Sequence, residues 1–264
     1  MEHTVNESGI RGNLRSIFRC LSLLILLSSV AAQANSIQVA VASNFLVPLK
    51  EIAAAFQSAH QIEVRISPGA TGRHYAQIVN GAPFDVFLAA DQARPQRLVD
   101  EGLAVAESLY TYAQGRLVLW VSPGELLPED GLAGLDPAAV RRFGIANPRT
   151  APYGKAAQQA LAFAGLEQAL VDRLVYAENV TQVLQYLATG NITHALVAAS
   201  HTFMEGKPAG EWRLIPANWH DPIRQDAVLL KRASDNDAAL EFLAFIKEDQ
   251  AKEILARYGY GVVE

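Results

Sequence analysis

Hydrogen-bond donors follow two apolar segments near the start of the chain, and these residues are the first candidates for chemistry. Ser43 and Asn44 come directly after the apolar segment 37–42, and Thr71 comes shortly after a second strand candidate at 62–66. When a helix begins after such a turn, its first backbone N–H groups have no acceptor within the helix and can bind an anion. Both turns therefore predict donors for a small oxyanion, although each alone is also typical of an ordinary helix N-cap.

Two further turns of the same kind occur later in the chain. The segment 147–154 contains Tyr153, whose phenolic hydroxyl can donate a hydrogen bond, and the segment 178–181 contains Asn179 and Val180 at the start of a predicted helix. Taken singly, Asn179 is better explained as an N-cap and Tyr153 as a packing residue. One pair of donor turns in each of two lobes, however, is what a cleft between lobes needs in order to bind an anion.

Strand and helix patterns alternate from residue 37 onwards. Apolar segments of strand length are separated by helices of 10–15 residues, which is typical of parallel βαβ units in an α/β fold. Ligands of such sheets bind beyond the carboxyl ends of the strands, where the donor turns fall. The sequence therefore predicts a two-lobed α/β protein with a parallel-rich mixed sheet in each lobe. Lobe one is predicted at residues 36–115 plus 225–264, and lobe two at residues 116–224.

Three local predictions concern the elements around these turns. The segment 67–71 is predicted to be a turn, with a helix from Gly72 onwards that ends at Gly81. The spacing of Tyr75, Ile78 and Val79 predicts that these three side chains share one face of that helix. The region around Trp212, Trp219 and Pro222 is predicted to be a loop with apolar anchors.

The N-terminal residues 1–34 are predicted to be a secretory signal rather than part of the fold. A basic flank with Arg11, Arg15 and Arg19 precedes the apolar run 21–32, and Ala32-Gln33-Ala34 supplies small residues for cleavage. The single cysteine, Cys20, lies within this signal. We therefore expect a periplasmic protein whose mature chain depends on its core rather than on disulfides.

Composition excludes several classes of function. The chain has a formal net charge of −5 and no basic run, which disfavours nucleic acid as a partner and means that local donors must attract any anion. Six histidines show no paired ligand spacing, so a metal-ion site is not predicted. No Gly-x-Ser-x-Gly motif is present and Ser43 has no evident partners for catalysis, so we predict no enzyme. Arg73 is predicted to lie on an exposed helix face rather than to act as the counterion of the anion.

Six segments carry a resemblance to a known family: 40–45, 68–78, 81–91, 147–154, 177–180 and 257–259. Together they resemble the periplasmic molybdate-binding proteins of ABC transporters. The resemblance implies a type II-like periplasmic binding fold that delivers molybdate, and also tungstate, to a membrane permease. It also implies a monomer without a further cofactor. The oxyanion, and with it the metal, would be held by the same neutral donors: Ser43, Asn44, Thr71, Tyr153 and Val180.

The sequence identifies the scaffold more specifically than it identifies the bound anion. Some members of the family bind through a tyrosine in the strand that corresponds to 196–199, and this chain has Ala198 there. A pocket of donors alone suits a fully deprotonated tetrahedral dianion, because a protonated phosphate would bring an O–H that finds no acceptor, at a cost of about 1–3 kcal/mol. The alternative function is the same scaffold binding sulfate, thiosulfate or a small organic anion.

Overall fold

The computed structural model describes residues 36–261, whose strands form two separate five-stranded sheets. The predicted signal at 1–34 lies outside the described residues. The strands of the first sheet are β1 (Ser36–Ala42), β2 (Glu63–Gly69), β3 (Val86–Leu88), β4 (Tyr110–Gly115) and β10 (Ile223–Leu229). Those of the second sheet are β5 (Leu117–Val121), β6 (Phe143–Ala146), β7 (Leu174–Ala177), β8 (His194–Ala198) and β9 (Glu211–Leu214).

Eight α-helices within residues 36–261 connect and cover these strands. They are α1 (Leu46–His60), α2 (Thr71–Val79), α3 (Ala93–Asp100), α4 (Pro152–Phe163), α5 (Glu167–Leu170), α6 (Val180–Ala188), α7 (Asp237–Phe245) and α8 (Asp249–Arg257). Short 3-10 turns follow two of the strands, at Ser43–Phe45 and Ala199–Phe203. None of the helices within the described range is long and apolar enough to cross a membrane.

The two sheets have the same arrangement of parallel and antiparallel neighbours. The order is β2-β1-β3-β10-β4 in the first sheet and β7-β6-β8-β5-β9 in the second. In each sheet the first three strands are parallel, and the fourth runs antiparallel to both of its neighbours. This architecture confirms the predicted α/β fold with a mixed sheet on each side.

The chain passes between the sheets twice. Arg116 alone separates β4 from β5, and the segment 215–222 leads back from β9 to β10. Residues 36–261 nevertheless belong to one compact unit, so the predicted lobe boundaries stay a prediction. The central strands of both sheets are buried on both faces, which explains why segments such as Leu117–Val121 are apolar throughout.

Each sheet has its own hydrophobic core. Trp120 and Phe143 are fully buried in the core of the second sheet. Phe45, Phe56 and Phe242 are fully buried where α1, α7 and α8 cover the first sheet. These cores hold the carboxyl ends of the strands in place, and the donor turns follow from those ends.

Two local predictions were wrong. The segment Ser67–Gly69 continues β2 instead of forming a turn, because it pairs with β1 up to Ala42 and Gly69. The predicted helix is present as α2, which begins at Thr71, one residue earlier than predicted, and it buries His74 and Ile78, whereas Val79 is 46% exposed. Trp212 lies in strand β9 rather than in a loop, and it pairs with Trp120 of β5.

Candidate functional site

The carboxyl ends of the parallel strands of both sheets lead to one place. In the first sheet β1 and β2 end level with each other at Ala42 and Gly69. In the second sheet β6 and β7 end level at Ala146 and Ala177. Four short connections follow from these ends, and each of them leads into a helix or a 3-10 turn. Ligands of open α/β sheets bind at such ends.

All five residues predicted to bind the oxyanion line one cavity at this place. They are Ser43, Asn44, Thr71, Tyr153 and Val180. Each is at most 7% exposed, and the space that they enclose in this structure is small, about 10 Å³. None of the described residues that line it carries a charged side chain. Whether these residues bind a ligand stays a prediction, but the fold brings them together.

The side-chain hydroxyls of Thr71 and Tyr153 have their acceptor function satisfied by the protein. The Ala90 backbone N–H donates to Thr71 Oγ1 at 3.1 Å, and Gln225 Nε2 donates to the Tyr153 hydroxyl oxygen at 3.4 Å. The hydroxyl protons therefore remain available for a ligand in the cavity. Burial raises the pKa of Tyr153 well above its ordinary value, so its hydroxyl stays a donor at every physiological pH.

A glycine makes the position of Tyr153 possible. A Cβ atom at Gly115 would lie 2.1 Å from the Tyr153 hydroxyl oxygen and 2.7 Å from Gln225 Nε2. Gly115 is the last residue of β4, immediately before the chain crosses to the second sheet. Because Gly115 has no side chain, Tyr153 of the second-sheet side can contact Gln225 of the first sheet.

Backbone N–H groups complete the set of donors. Thr71 and Val180 are the first residues of α2 and α6, so their N–H groups have no acceptor within the helix. The positive ends of both helix dipoles also attract an anion. Asn179 is the N-cap of α6, because its side-chain oxygen accepts from the Gln182 N–H at 3.0 Å. The interpretation of Asn179 as a cap is thus confirmed.

A buried network that the sequence did not reveal holds Asn44. The Asn44 side-chain amide donates to Gln225 Oε1 at 2.9 Å and to the Tyr260 hydroxyl at 3.0 Å. Tyr112 also donates to Gln225, at 3.0 Å. The signal that could have revealed Gln225 is its place, with Arg224 and Asp226, in a strand whose other residues are apolar. Because its side-chain amide is occupied, Asn44 can offer the cavity only its backbone N–H.

The two sheets contact each other directly behind the cavity. The Thr181 hydroxyl of α6 donates to the Ser43 carbonyl at 3.1 Å. The Ser200 hydroxyl, which follows β8, donates to the Asn44 carbonyl at 2.9 Å. These bonds join second-sheet side chains to the backbone of a donor turn of the first sheet. Sequence reasoning assigned no role to Thr181 or Ser200.

Charged residues lie at the rim of this contact. Arg73 is on the exposed side of α2, as predicted, and forms an ion pair with Glu178 of the other side. Hydrogen bonding to Glu178 and its charge raise the pKa of Arg73. Arg94 pairs with Asp91 and also donates to the Arg149 carbonyl at 3.0 Å. The Gly72 N–H donates to the Thr150 carbonyl at 2.8 Å, which adds a backbone contact at the same rim.

Other candidate chemistry does not collect at the cavity. No three His, Cys, Asp or Glu side chains within residues 36–261 are placed to hold a metal ion. His201 lies behind the cavity, where burial lowers its pKa to about 4, so the ring is neutral at pH 7. Ala198 is fully buried at the end of β8 and is not among the described residues that line the cavity.

Comparisons with known proteins agree with this geometry. The sequence profile described as "bacterial extracellular solute-binding protein" matches residues 37–261. The molybdate-binding protein ModA of Azotobacter vinelandii is 45% identical over 238 residues, which are 89% of this chain and 94% of the relative. The molybdate-binding protein ModA of Rhodobacter capsulatus is 39% identical, over 94% of this chain and 96% of the relative.

One solved structure shares both fold and sequence. The structure of the periplasmic molybdate-binding protein of Azotobacter vinelandii superposes with a TM-score of 0.80 and an identity of 37%. The match covers 86% of this chain and all of the solved chain.

Proposed function

The chain belongs to the family of bacterial extracellular solute-binding proteins, and from that premise we propose that it captures molybdate in the periplasm. It delivers this anion to the membrane permease of an ABC transporter. The names of the two relatives and of the solved structure support this choice of ligand and compartment. Tungstate is bound as well, because its size and charge are nearly those of molybdate.

The observation that carries this proposal is a buried cavity whose donors are all neutral. Hydroxyls of Ser43, Thr71 and Tyr153 and backbone N–H groups of Asn44 and Val180 surround one space between the sheets. A tetrahedral dianion offers oxygen acceptors on every side and no proton. Helix N-termini and oriented amides stabilise its charge without a formal counterion. Binding and release then require no buried ion pair to form or to break.

The same donors select against other anions. Phosphate near pH 7 carries a proton on part of its population, and that O–H would face another donor and stay unpaired in a buried site. Sulfate has the charge of molybdate but is smaller, so it cannot contact the donors of both sheets at once. A cavity that binds sulfate, thiosulfate or a small organic anion instead is the alternative function.

The remaining parts of the proposal concern partners and chemistry. The protein acts as a receptor and not as an enzyme, since its relatives are binding proteins. It acts as a monomer. The metal arrives as part of the oxyanion, which Ser43, Asn44, Thr71, Tyr153 and Val180 hold, and no further cofactor takes part. The permease is the only macromolecular partner that the function requires, and nucleic acid has no role.

Parallel calorimetric titration with molybdate, tungstate, sulfate and phosphate tests the proposal. Molybdate and tungstate are expected to bind tightly, sulfate much less tightly and phosphate least. Ligand that binds only the folded state stabilises it by about 2.7 kcal/mol at a hundredfold excess over Kd. For a chain of this length the unfolding midpoint should then rise by about 5–10 °C with molybdate. A larger rise with sulfate at the same concentration would overturn the proposed ligand but not the family.

A further inference from the structure

Two hydroxyls of the second sheet hold the backbone of the Ser43–Phe45 turn without lining the cavity. Thr181 donates to the Ser43 carbonyl at 3.1 Å and Ser200 donates to the Asn44 carbonyl at 2.9 Å. Neither residue is among those that line the cavity. Ser200 is 4% exposed, so its bond is shielded from water. These bonds are therefore not surface contacts, and their place behind the donors needs an explanation.

The Thr181 bond acts on a peptide group that the ligand also uses. The Ser43 carbonyl and the Asn44 N–H belong to one planar peptide unit, so orienting the carbonyl orients the N–H. The carbonyl accepts from the Leu46 N–H within the turn as well as from Thr181. Hydrogen bonds in such a chain polarise one another, which strengthens the donor at the far end. A bond to the carbonyl therefore makes the Asn44 N–H a better donor to an anion.

The same residue is also the neighbour of a second donor. Thr181 follows Val180 in the first turn of α6, and the Val180 N–H points from the start of that helix. Through its single hydrogen bond to the Ser43 carbonyl, Thr181 thus connects the Val180 N–H of α6 with the Asn44 N–H of the first sheet. His201 supports this link from behind, with Nε2 3.4 Å from Thr181 Oγ1.

From this geometry we infer that Thr181 is a positioning residue of the oxyanion site. Its hydroxyl aligns and polarises the Asn44 N–H when the two sheets are together, and in this way the contact between the sheets raises the affinity for the anion. Ser200 holds the next peptide unit, where Tyr260 also donates to the Asn44 carbonyl at 2.8 Å, but the N–H of that unit belongs to Phe45, which does not line the cavity. The inference rests on the proposed function for the choice of ligand, but the alignment of the amide does not depend on it.

Three variants test the role of the Thr181 hydroxyl. Thr181→Val removes the hydroxyl and keeps the shape, Thr181→Ser keeps the hydroxyl, and Thr189→Val is the matched control. Thr189 ends the same helix and its hydroxyl donates to the Gln185 carbonyl at 2.9 Å, away from the cavity. Thr181→Val should weaken molybdate binding by about three- to tenfold, the effect of one hydrogen bond. Thr181→Ser should stay within about twofold of the unmodified protein, and Thr189→Val should bind like it.

A second measurement separates alignment from a general loss of stability. The unfolding midpoint of each variant is measured without ligand, and the Asn44 amide resonance is followed by NMR. Thr181→Val should shift that resonance upfield and Thr181→Ser should restore it. A Thr181→Val protein with a lowered midpoint, unchanged affinity and an unshifted Asn44 resonance would show a purely structural bond and overturn the inference.

Failure of the proposed function has a different signature. If the unmodified protein binds another oxyanion of the panel but not molybdate, the proposed ligand is wrong, and the same variants titrated with that oxyanion decide the role of Thr181. If it binds none of them, the oxyanion function fails, and the Asn44 resonance in the unliganded variants decides whether the hydroxyl aligns the amide.

Discussion

The centre and the rim of the contact between the two sheets are built from different chemistry. At the centre the contacts are neutral: Thr181 to Ser43, Ser200 to Asn44 and Gln225 to Tyr153. At the rim they are charged, as in the pair of Arg73 and Glu178, whose side chains are 59% and 43% exposed. Charge is thus placed where water can solvate it, and neutral dipoles are placed where water is excluded.

This difference follows from the cost of burying charge. An ion taken out of water loses several kcal/mol unless its partners replace the solvent, so a buried lysine or arginine would need a permanent counterion. Neutral donors need none, and a bound dianion then becomes the only full charge at the centre. The affinity for the anion should therefore depend on the centre, whereas the rim should contribute little.

The largest effect is expected from Gly115→Ala. The new Cβ would have to displace the Tyr153 hydroxyl, which would lie 2.1 Å away, so the variant combines overpacking with the loss of a donor. Molybdate affinity should fall by at least about a hundredfold in calorimetric titration. Gly261→Ala is the control, because Gly261 has no positive φ and a Cβ there would meet its nearest atom, Gln114 Cβ, at an ordinary 3.5 Å. Unchanged affinity in Gly115→Ala would mean that Tyr153 does not contact the anion.

Removing single hydroxyls at the centre should have the next largest effect. Ser43→Ala and Thr71→Ala each delete one charge-assisted hydrogen bond, so each should weaken binding by about 1–3 kcal/mol. Thr71→Ser keeps the hydroxyl that accepts from the Ala90 N–H and should retain most of the affinity. If the two alanine variants bind molybdate like the unmodified protein, the neutral centre is not the anion site.

The burial of His201 behind the cavity also predicts that the free energy of unfolding depends on pH. Burial lowers the pKa of His201 from 6.5 to about 4, so the unfolded chain binds a proton that the folded chain does not. Stability is therefore lost as the pH falls from about 6.5 towards 4, by about 2 kcal/mol between pH 7.5 and pH 5. His201→Gln should lose correspondingly less in urea unfolding at these two pH values. An equal loss of stability in both proteins would indicate that protonation of His201 does not destabilise the folded protein.

The smallest effect is expected at the rim. Arg73→Ala and Glu178→Gln break an exposed ion pair that salt screens, so molybdate affinity should change by less than about threefold. The double variant should bind like either single variant. An effect of Arg73→Ala larger than that of Ser43→Ala would reverse the comparison and make Arg73 a counterion of the anion.

The sequence predicted the parts of this molecule that depend on local patterns. Strands such as Leu117–Val121 and helices such as Val180–Ala188 follow from apolar periodicity and from stop signals such as Gly190, which has a φ of 68°. The positions of the donor turns follow from the general rule for the carboxyl ends of parallel strands. The rule places two of the turns at one edge of each sheet, whereas the meeting of the two edges depends on contacts between the sheets.

The remaining features depend on contacts between residues far apart in the chain. Asn44 and Tyr260 lie at opposite ends of the described chain, and no periodicity links them. The sequence shows Thr181 only as the second residue of a helix, and its hydrogen bond to the Ser43 carbonyl appears only in the folded structure. The turn predicted at Ser67–Gly69 was wrong for the same reason, because the strand conformation there comes from pairing with β1.

The position of β10 bears on the order in which the sheets can assemble during synthesis. The second sheet consists of Leu117–Leu214 in one continuous stretch, so all its strands are present before the last part of the chain exists. The first sheet needs β10, which lies between β3 and β4, and therefore waits for Ile223–Leu229. Chains emerge with the N-terminus first, and pairings between distant residues form slowly. The strands before Gly115 must thus remain incomplete, with the edge of β3 unpaired, until nearly the whole polypeptide has been made.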